Sequence, residues 1–329
     1  MSDKNFVDKN KPQDMENSTP TVNITKLNRK NKKGRKMQKT WDDILFDCIV
    51  YFGLSFAAII ILYPLIYVLS ASFSTPYAVT SGKVWLYPVD FSLIGYETVF
   101  KTNKVLIGYK NSLIVACSAA VVSVLLTMCY AYVLSIRDFV GRKFFTIVLI
   151  ITMFFGGGLI PSFLLIQQLG LYDTYWALIL PGAVSAYNIV IARTFISSSI
   201  PYDLYEAASI DGCSDFNYFI RMIIPLSKPI IAVLTLYAVV GQWNNYFSAM
   251  IYLSTPAKYT LQLILRDIII QNRVDPTMMI DVDLMQKRQG LSELLKYSLI
   301  VVSSVPMLML YPFIQKHFVK GVMVGSVKG

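Results

Sequence analysis

Charged and reactive side chains are scarce in this sequence. Asp, Glu, Lys and Arg make up 15% of its 329 residues, against roughly a quarter in a typical soluble domain. There is one histidine, His317, and no long apolar segment carries a charged residue near its centre. Proton-coupled transporters usually place acids or histidines at such positions. The sequence therefore disfavours a secondary, ion-coupled transporter, and energy for uphill transport would have to come from another protein.

Catalytic and metal-binding patterns are missing as well. The four cysteines show no paired spacing, which predicts neither a disulfide framework nor a metal site. There is no phosphate-binding glycine loop followed by Lys-Ser or Lys-Thr, and no Gly-x-Ser-x-Gly turn. The nearest acidic pair, Asp281 and Asp283, fits a solvated loop better than a site. We expect no catalytic residue, metal or cofactor in this chain. Among the alternatives, a membrane-embedded enzyme therefore ranks below a secondary transporter.

What the sequence has instead is long apolar segments, with hydrophobic types at 55% of all residues. A helix that crosses the hydrocarbon core of a bilayer needs about 20 largely apolar residues. Six stretches reach that length and predict six transmembrane helices: residues 44–71, 106–135, 144–169, 175–196, 223–253 and 297–314. Open strands would leave backbone polar groups unpaired in lipid, so we expect an all-α bundle. Pro312 is expected in the last turn of the sixth span.

The distribution of Lys and Arg indicates an orientation. Residues 1–43 hold 11 of the 30 basic residues, and such residues accumulate on the cytoplasmic side of membrane proteins. This predicts a cytoplasmic N terminus, a cytoplasmic loop at residues 200–225 and a cytoplasmic C terminus. The basic tail fits anionic lipid head groups, and nucleic-acid binding is a weaker alternative because the tail adjoins a span.

The chain accordingly divides into four parts. We predict a disordered basic tail, a first span with an extracytoplasmic segment, a permease-like core and a short cytoplasmic tail: residues 1–40, 41–104, 105–315 and 316–329. The extracytoplasmic parts, residues 72–105 and 254–296, are expected to form a short folded cap and amphipathic helices lying over the bundle.

The third predicted span contains a cluster of glycines and a proline. Gly156, Gly157 and Gly158 precede Pro161, and such a cluster inside a span allows the helix to break. The cluster either lines a transport pathway or allows close packing between helices.

The loop at residues 200–225 predicts two short helices that meet at a glycine. Pro201 suits a first helical turn, and Gly212 tolerates the left-handed conformation that ends a helix. Ser214 or Asp215 can cap the next helix, which we expect to run from Phe216 into the fifth span.

These two helices form either a docking knob or an ordinary solvated connector. The small side chains of Ala207 and Ala208 would allow close approach to a groove. Glu206 and Asp211 would offer negative charge to a basic partner. Composition alone does not separate the two interpretations.

The spacing in this loop resembles that of a known family. Glu206-Ala207-Ala208, three residues, Gly212, nine residues and then residues 222–225, Met-Ile-Ile-Pro, resemble the Glu-Ala-Ala loop of ABC importer permeases. That loop usually ends in Ile-x-Leu-Pro. With residues 243–247 and 315–322, the chain is similar to maltose-type carbohydrate permeases over roughly residues 105–315. The run at residues 156–161 and the tail at 319–329 resemble the oligosaccharide and lipoprotein-dependent branch.

The resemblance implies an architecture and a set of partners. It implies a type I ABC importer permease bundle in a bacterial cell membrane, with a coupling helix at the cytoplasmic side. The partners would be a second homologous permease, two cytoplasmic ATPase subunits that bind ATP and Mg, and an extracytoplasmic solute-binding protein. Glu206 would pair with a basic residue of the ATPase. The implied coupling residues are Glu206, Ala207, Ala208, Asp211, Gly212 and Pro225.

The implied cargo is a carbohydrate, and sugars bind to aromatic faces flanked by amides and hydroxyls. The residues of this kind in the spans are Trp243, Asn244, Asn245, Tyr246, Asn188 and Gln167. We expect them to line a sugar pathway at the interface with the second permease. Packing between helices is the alternative for the same polar groups.

Overall fold

The computed structural model describes the backbone of residues 40–271 and 282–325, and the side chains of residues 40–270 and 289–312. The described residues are helical, with no strand among them. The predictions for residues 1–39, Asp281, the side chain of Asp283, His317 and the tail at 316–329 lie outside these side-chain ranges. The chain divides into two units, residues 1–59 and 60–329.

Fourteen α-helical elements, α1 to α14, follow one another in the described parts. Their bounds, in chain order, are Trp41–Ser72, Pro76–Thr80, Ile94–Lys101, Asn103–Ser135, Arg142–Phe154, Leu159–Gln168, Trp176–Ile179, Ala186–Ser199, Asp203–Ile210, Asp215–Leu226, Lys228–Trp243, Tyr246–Tyr252, Leu261–Gln271 and Val282–Gly325. In the first unit the described residues belong almost entirely to α1 and are mostly exposed.

Three helices of the described residues are long and apolar enough to cross a membrane: Trp41–Ser72, Asn103–Ser135 and Gln289–Pro312 within α14. Two bent pairs raise the number to five if each pair is one span. The first is α5 with α6, bent by 113°, and the second is α10 with α11, bent by 80°. The spans therefore number three to five by this measure, and the sixth stays a prediction.

The fourth predicted span, residues 175–196, is not one continuous helix. It is divided between α7 and α8, and Pro181 and Gly182 lie in the break. Proline lacks the backbone N–H that a helix interior uses, and glycine disfavours a helix by about 1 kcal/mol. Ser185 then begins α8, where its hydroxyl accepts a hydrogen bond from the backbone N–H of Asn188.

Two further boundaries differ from the sequence-based expectation. The helix after Gly212 does not run straight into the fifth span, because the chain bends by 80° at Ser227, between Pro225 and Pro229. The last helix does not end at residue 314, as expected for the sixth span, but continues to Gly325 with both Pro306 and Pro312 inside it. Prolines are tolerated within membrane helices because neighbouring groups satisfy the freed carbonyls.

Helix α4 is the centre of the second unit, and α8, α11 and α13 pack against it. Its packed side carries small residues that let neighbouring backbones approach. At Gly108 an added Cβ would lie 2.7 Å from Ile264 and 3.0 Å from the Cα of Leu261, so α13 crosses close to this point. Asn111 donates to the carbonyls of Ala257 and Tyr259 at 2.8 and 2.9 Å, which ties the segment before α13 to α4.

The predicted extracytoplasmic segments are folded as expected in the described parts. Residues 72–105 form short helices around a small buried cluster that includes Ala78, Val84 and Leu294. Helix α13 buries Leu261 and Leu265. These segments therefore have packed faces, and their place outside the membrane stays a prediction.

A carboxylate joins the turn before α7 to the segment after α12. Asp173 accepts hydrogen bonds from the backbone N–H groups of Ser254 and Thr255, both at 3.0 Å. Its other oxygen accepts from the Thr255 hydroxyl at 2.6 Å and pairs with Lys258 at 2.8 Å. The hydrogen bond from Lys258, followed by those from Thr255, holds the pKa of Asp173 well below its usual range.

Candidate coupling site

Helix α9, residues Asp203–Ile210, ends at Gly212 by a Schellman motif. Gly212 has φ of +73°, and its N–H donates to the Ser209 carbonyl at 3.1 Å. The N–H of Cys213 donates to the Ala208 carbonyl at 2.9 Å. This 6→1 and 5→2 pair of hydrogen bonds defines the motif, and the left-handed residue at its centre favours glycine. The helix and stop predicted from the sequence are confirmed.

The two faces of α9 differ in exposure. Glu206 and Ala207 are exposed, as are Asp211 and Gly212 just beyond the helix. Ala208 is half-buried and packs against a core cluster that includes Tyr218. Of the two alanines predicted to approach a groove, only Ala207 therefore faces outward. The outward side combines a small residue with two carboxylates, which suits a groove lined with positive charge.

Tyrosine side chains hold α9 against the bundle. The hydroxyl of Tyr205 donates to Asp215 Oδ1 at 3.0 Å, and its ring lies 5.3 Å from that of Tyr218. The hydrogen bond to the Asp215 carboxylate, together with burial, raises the pKa of Tyr205. Tyr132, on α4, lies behind Tyr218 at a ring distance of 6.3 Å. This stack connects the loop to the central helix.

A second contact fixes the start of α9. The hydroxyl of Tyr202 donates to Asp138 Oδ2 at 3.1 Å, and the guanidinium of Arg137 lies 4.4 Å from the centre of the Tyr202 ring. Burial and the hydrogen bond to Asp138 raise the pKa of Tyr202. Tyr202 and Tyr205 thus attach the first half of α9 to the residues around it, and whether α9 is a docking knob or a connector stays a prediction.

The second half of the loop begins and ends at specific residues. Ser214 caps α10, and its hydroxyl accepts a hydrogen bond from the N–H of Asn217 at 3.4 Å. Within α10, residues Phe219–Ile223 form a turn of π-helix. Pro225 lies two residues beyond this turn and cannot donate the backbone hydrogen bond that a regular turn would need, which accounts for the altered register. Pro225 thus shapes the path from the loop to the span.

Two apolar side chains beside α9 are exposed and were not predicted as site residues. Ile210 is 87% exposed and Phe216 is 71% exposed, on either side of Gly212. Large apolar groups on a projecting loop are typical of contact surfaces. Their position at the end of one short helix and the start of the next is the signal in the sequence that could have identified them.

The aromatic member of the predicted sugar pathway lies in the core. Trp243 is 3% exposed, and its indole N–H donates to the carbonyl of Ser303 on α14 at 3.1 Å. Its ring centre lies 5.9 Å from that of Tyr109. These contacts favour the packing alternative for Trp243, because its ring offers no open face in this conformation.

The neighbouring polar residues form the break between α11 and α12. Asn244 is exposed and donates to the carbonyl of Val240 at 3.0 Å, which ends α11. The Oδ1 atom of Asn245 accepts a hydrogen bond from the N–H of Ser248 at 3.1 Å and caps α12. Tyr246 is exposed and makes a ring contact with Phe247. Asn244 and Tyr246 are therefore open to a ligand, whereas Asn245 already has a structural role.

The remaining pathway candidates lie apart from this group in the described contacts. Gln167 is exposed near the end of α6, and Asn188 is half-buried in the first turn of α8. No described hydrogen bond or ring contact joins either to Trp243 or Tyr246. Gln242, which was not predicted, donates to the Leu178 carbonyl at 3.2 Å and connects α11 to α7.

The glycine cluster breaks its helix as expected and is exposed. Helix α5 ends at Phe154, α6 begins at Leu159, and Gly158 has φ of +80°. A Cβ added at Gly156 or Gly157 would meet no atom within 4 Å. Close packing against the described part of the chain therefore does not explain these glycines, and the pathway interpretation stays a prediction.

The structure thus has several apolar helices and one exposed acidic helix between two of them, and comparison with known proteins gives its family. Residues 34–324 match the family described as binding-protein-dependent transport system inner membrane component. The chain belongs to this family, which contains the permease subunits of ABC importers.

Several relatives match over most of their length. YtcP, the permease protein of the polygalacturonan/rhamnogalacturonan transport system of Bacillus subtilis (strain 168), is 42% identical over 286 residues, which is 87% of this chain and 99% of YtcP. The protein LplC of the same organism is 38% identical over 294 residues, or 89% of this chain and 98% of LplC.

A solved structure has the same fold. One chain of a bacterial ABC transporter involved in the import of the acidic polysaccharide alginate is 32% identical and superposes with a TM-score of 0.78, covering 85% of this chain and 99% of that chain. The predicted family and the permease fold are confirmed.

Proposed function

We propose that this chain forms half of the translocation pathway of an ATP-driven oligosaccharide importer in the bacterial cell membrane. A second, homologous permease supplies the other half, and two cytoplasmic ATPase subunits bind ATP and Mg. An extracytoplasmic binding protein delivers the sugar. In this proposal the chain crosses the membrane six times and both termini lie in the cytoplasm. The three long helices, the two bent pairs, and α7 together with α8 would each form one span.

The observation that carries this proposal is the exposed, acidic outward side of α9. Its outward side presents Glu206, Ala207 and Asp211, and exposed Ile210 and Phe216 flank it. A groove with a basic rim on an ATPase subunit complements this surface in charge and in shape. The Glu206 carboxylate would pair with a basic side chain of that groove.

The mechanism follows from the attachments of α9. Tyr205 and Tyr218 link it to Tyr132 on α4, the central helix of the bundle. When the ATPases close on ATP, two such projections would be drawn together and each bundle would move as a rigid body. This would switch the pathway from inward-open to outward-open. ATP binding and sugar release would be coupled through this movement.

For the cargo we propose an oligosaccharide that contains uronic acids. Support comes from the names of two relatives, one for polygalacturonan/rhamnogalacturonan and one for the acidic polysaccharide alginate. Candidate contacts on this chain are Asn244 and Tyr246, which are exposed, with Asn188 and Gln167. Trp243 would support this group from behind rather than touch the sugar.

The coupling role is tested with two matched neutralisations on α9, Glu206→Gln and Asp203→Asn. Both carboxylates are exposed and lie in the first turn of the helix. We expect E206Q to reduce sugar-stimulated ATP hydrolysis and uptake at least tenfold, whereas D203N retains most of both. Co-purification of an ATPase subunit with each variant shows whether the complex forms. An equal loss in both variants would mean that general charge, and not Glu206, matters.

The cargo is tested by uptake in membrane vesicles that contain the whole transporter. Labelled oligogalacturonate and maltodextrin of equal length are compared in the presence of the binding protein. We expect ATP-dependent uptake of the uronic-acid oligomer and little of the neutral one. Equal uptake of both, or uptake of maltodextrin alone, would refute the acidic cargo without affecting the permease assignment.

A further inference from the structure

Four basic side chains line one cavity next to the coupling loop. The cavity has a volume of about 430 Å³, which is within the range of small-ligand clefts. Its basic residues are Arg137, Arg142, Lys143 and Arg193. Among the residues whose side chains the structure describes, none of these four forms an ion pair with a carboxylate. Four like charges around one cavity repel one another, so an anion placed there is attracted by all of them.

The position of these residues strengthens the attraction. Arg142 and Arg193 are half-buried, where charges are less screened by water than on the surface. Arg142 is also the first residue of α5, and the N terminus of a helix carries a partial positive charge. The guanidinium of Arg137 lies 4.4 Å from the centre of the neutral Tyr202 ring, and this contact does not compensate its charge.

An apolar groove adjoins the basic cavity. It has a volume of about 250 Å³ and is lined by Cys129, Tyr130, Val133, Leu134, Phe139 and Phe145. Phe139 lines both the groove and the cavity. It stacks on Phe145 with ring centres 5.9 Å apart, and a Cβ on Gly141 would lie 2.9 Å from Phe145 and 3.1 Å from Phe139. A glycine at position 141 thus allows these two rings to close one wall of the groove.

We propose that the cavity and groove together bind one anionic phospholipid. The head-group phosphate would lie among the four basic residues, and an acyl chain would follow the groove along the end of α4. The cavity lies where α4 ends and α5 begins, and the ends of apolar helices lie at the bilayer interface. A free phosphate or an acidic protein surface would match the positive charge of the cavity, but neither would fill the apolar groove.

The first experiment measures lipid binding to the full-length chain in mild detergent by native mass spectrometry. Phosphatidylglycerol and phosphatidylcholine with the same acyl chains are added in turn. We expect the anionic lipid to be retained preferentially. The double variant R142Q/R193Q should bind it about 30-fold more weakly, since each basic residue near an anionic lipid surface contributes a factor of about five. The control K104Q/K110Q removes two exposed charges from the other end of α4 and should have little effect.

The second experiment tests the groove separately. Val133→Trp fills the groove and leaves all four basic residues in place, so we expect weaker lipid retention with unchanged binding of inorganic phosphate. Displacement of the lipid by inorganic phosphate at concentrations comparable to those of the lipid would mean that a soluble anion site is present, and the proposal would fail. Equal retention of the two lipids would also refute it.

Two further outcomes are decisive. If lipid binds the isolated chain but is absent from the assembled transporter, the surface is a protein interface and the proposal is wrong. If R142Q/R193Q does not fold, the comparison of the two lipids on the unmodified chain, with and without phosphate, decides the question alone.

Discussion

The substitution Gly212→Ala tests whether a residue in the left-handed conformation ends helix α9. A Cβ at Gly212 would meet no atom within 4 Å, so the substitution creates no clash. The cost comes from the backbone, because φ at position 212 is +73°. An L-residue in this left-handed conformation destabilises the folded state by about 1–2 kcal/mol. Since 1 kcal/mol shifts the Tm of a domain of this size by roughly 2–4 °C, we expect a decrease of several degrees.

Gly241→Ala is the matched control. Gly241 lies within α11, is exposed, and also has no atom within 4 Å of an added Cβ, but its φ is not positive. Alanine in a helix interior is favoured over glycine by about 0.5–1 kcal/mol, so the Tm should stay equal or rise slightly. The same methyl group thus has opposite effects at the two positions. The assay is thermal unfolding of the purified chain in one detergent. Shifts of the same sign and size would refute the argument from backbone conformation.

The other predictions concern three hydrogen-bonded groups. Tyr205→Phe removes the hydroxyl that donates to Asp215 and keeps the ring contacts, so the free energy of unfolding should fall by about 0.5–1.5 kcal/mol. The ratio of ATP hydrolysis with sugar to that without sugar should also fall. An equal coupling ratio in variant and wild type would contradict the anchoring role. Asp173 has a lowered pKa in the folded state, so its contribution is present above the unfolded value of about 4 and is lost as the pH falls below it. The Tm of the wild type should therefore fall more between pH 7 and pH 3 than that of Asp173→Asn, and parallel curves would count against the Lys258 pair. Trp243→Phe breaks the bond to Ser303 and leaves a small cavity, which should destabilise the protein by about 1–3 kcal/mol with unchanged sugar affinity. A loss of affinity at unchanged stability would place Trp243 in the pathway instead.

Features that depend on local sequence were predictable. Helix α9, its stop at Gly212 and the cap at Ser214 each involve residues within five positions of one another, and all three are present. The break at residues 155–158 follows in the same way from adjacent glycines. Short-range hydrogen bonds determine these elements, so their signals are complete in a few residues of sequence.

Two interruptions of helices were not predicted, although prolines in the sequence mark both of them. Pro181 and Gly182 mark the division of residues 175–196 into two helices. The span was predicted from mean hydropathy over about 20 residues, and two residues change such a mean very little. The bend of 80° at Ser227 was not predicted, although Pro225 and Pro229 flank it and prolines are a known cause of helix kinks.

The sequence by itself determined that this is an apolar, helical membrane protein with a short acidic helix between two of its apolar segments. Tertiary structure decided which polar groups are used for packing and which remain open. Trp243 bonds to Ser303, sixty positions away, and the basic cavity combines residues near position 140 with Arg193. Such pairs have no signature in local spacing, because only the packing of α5, α8, α11 and α14 around α4 brings them within reach.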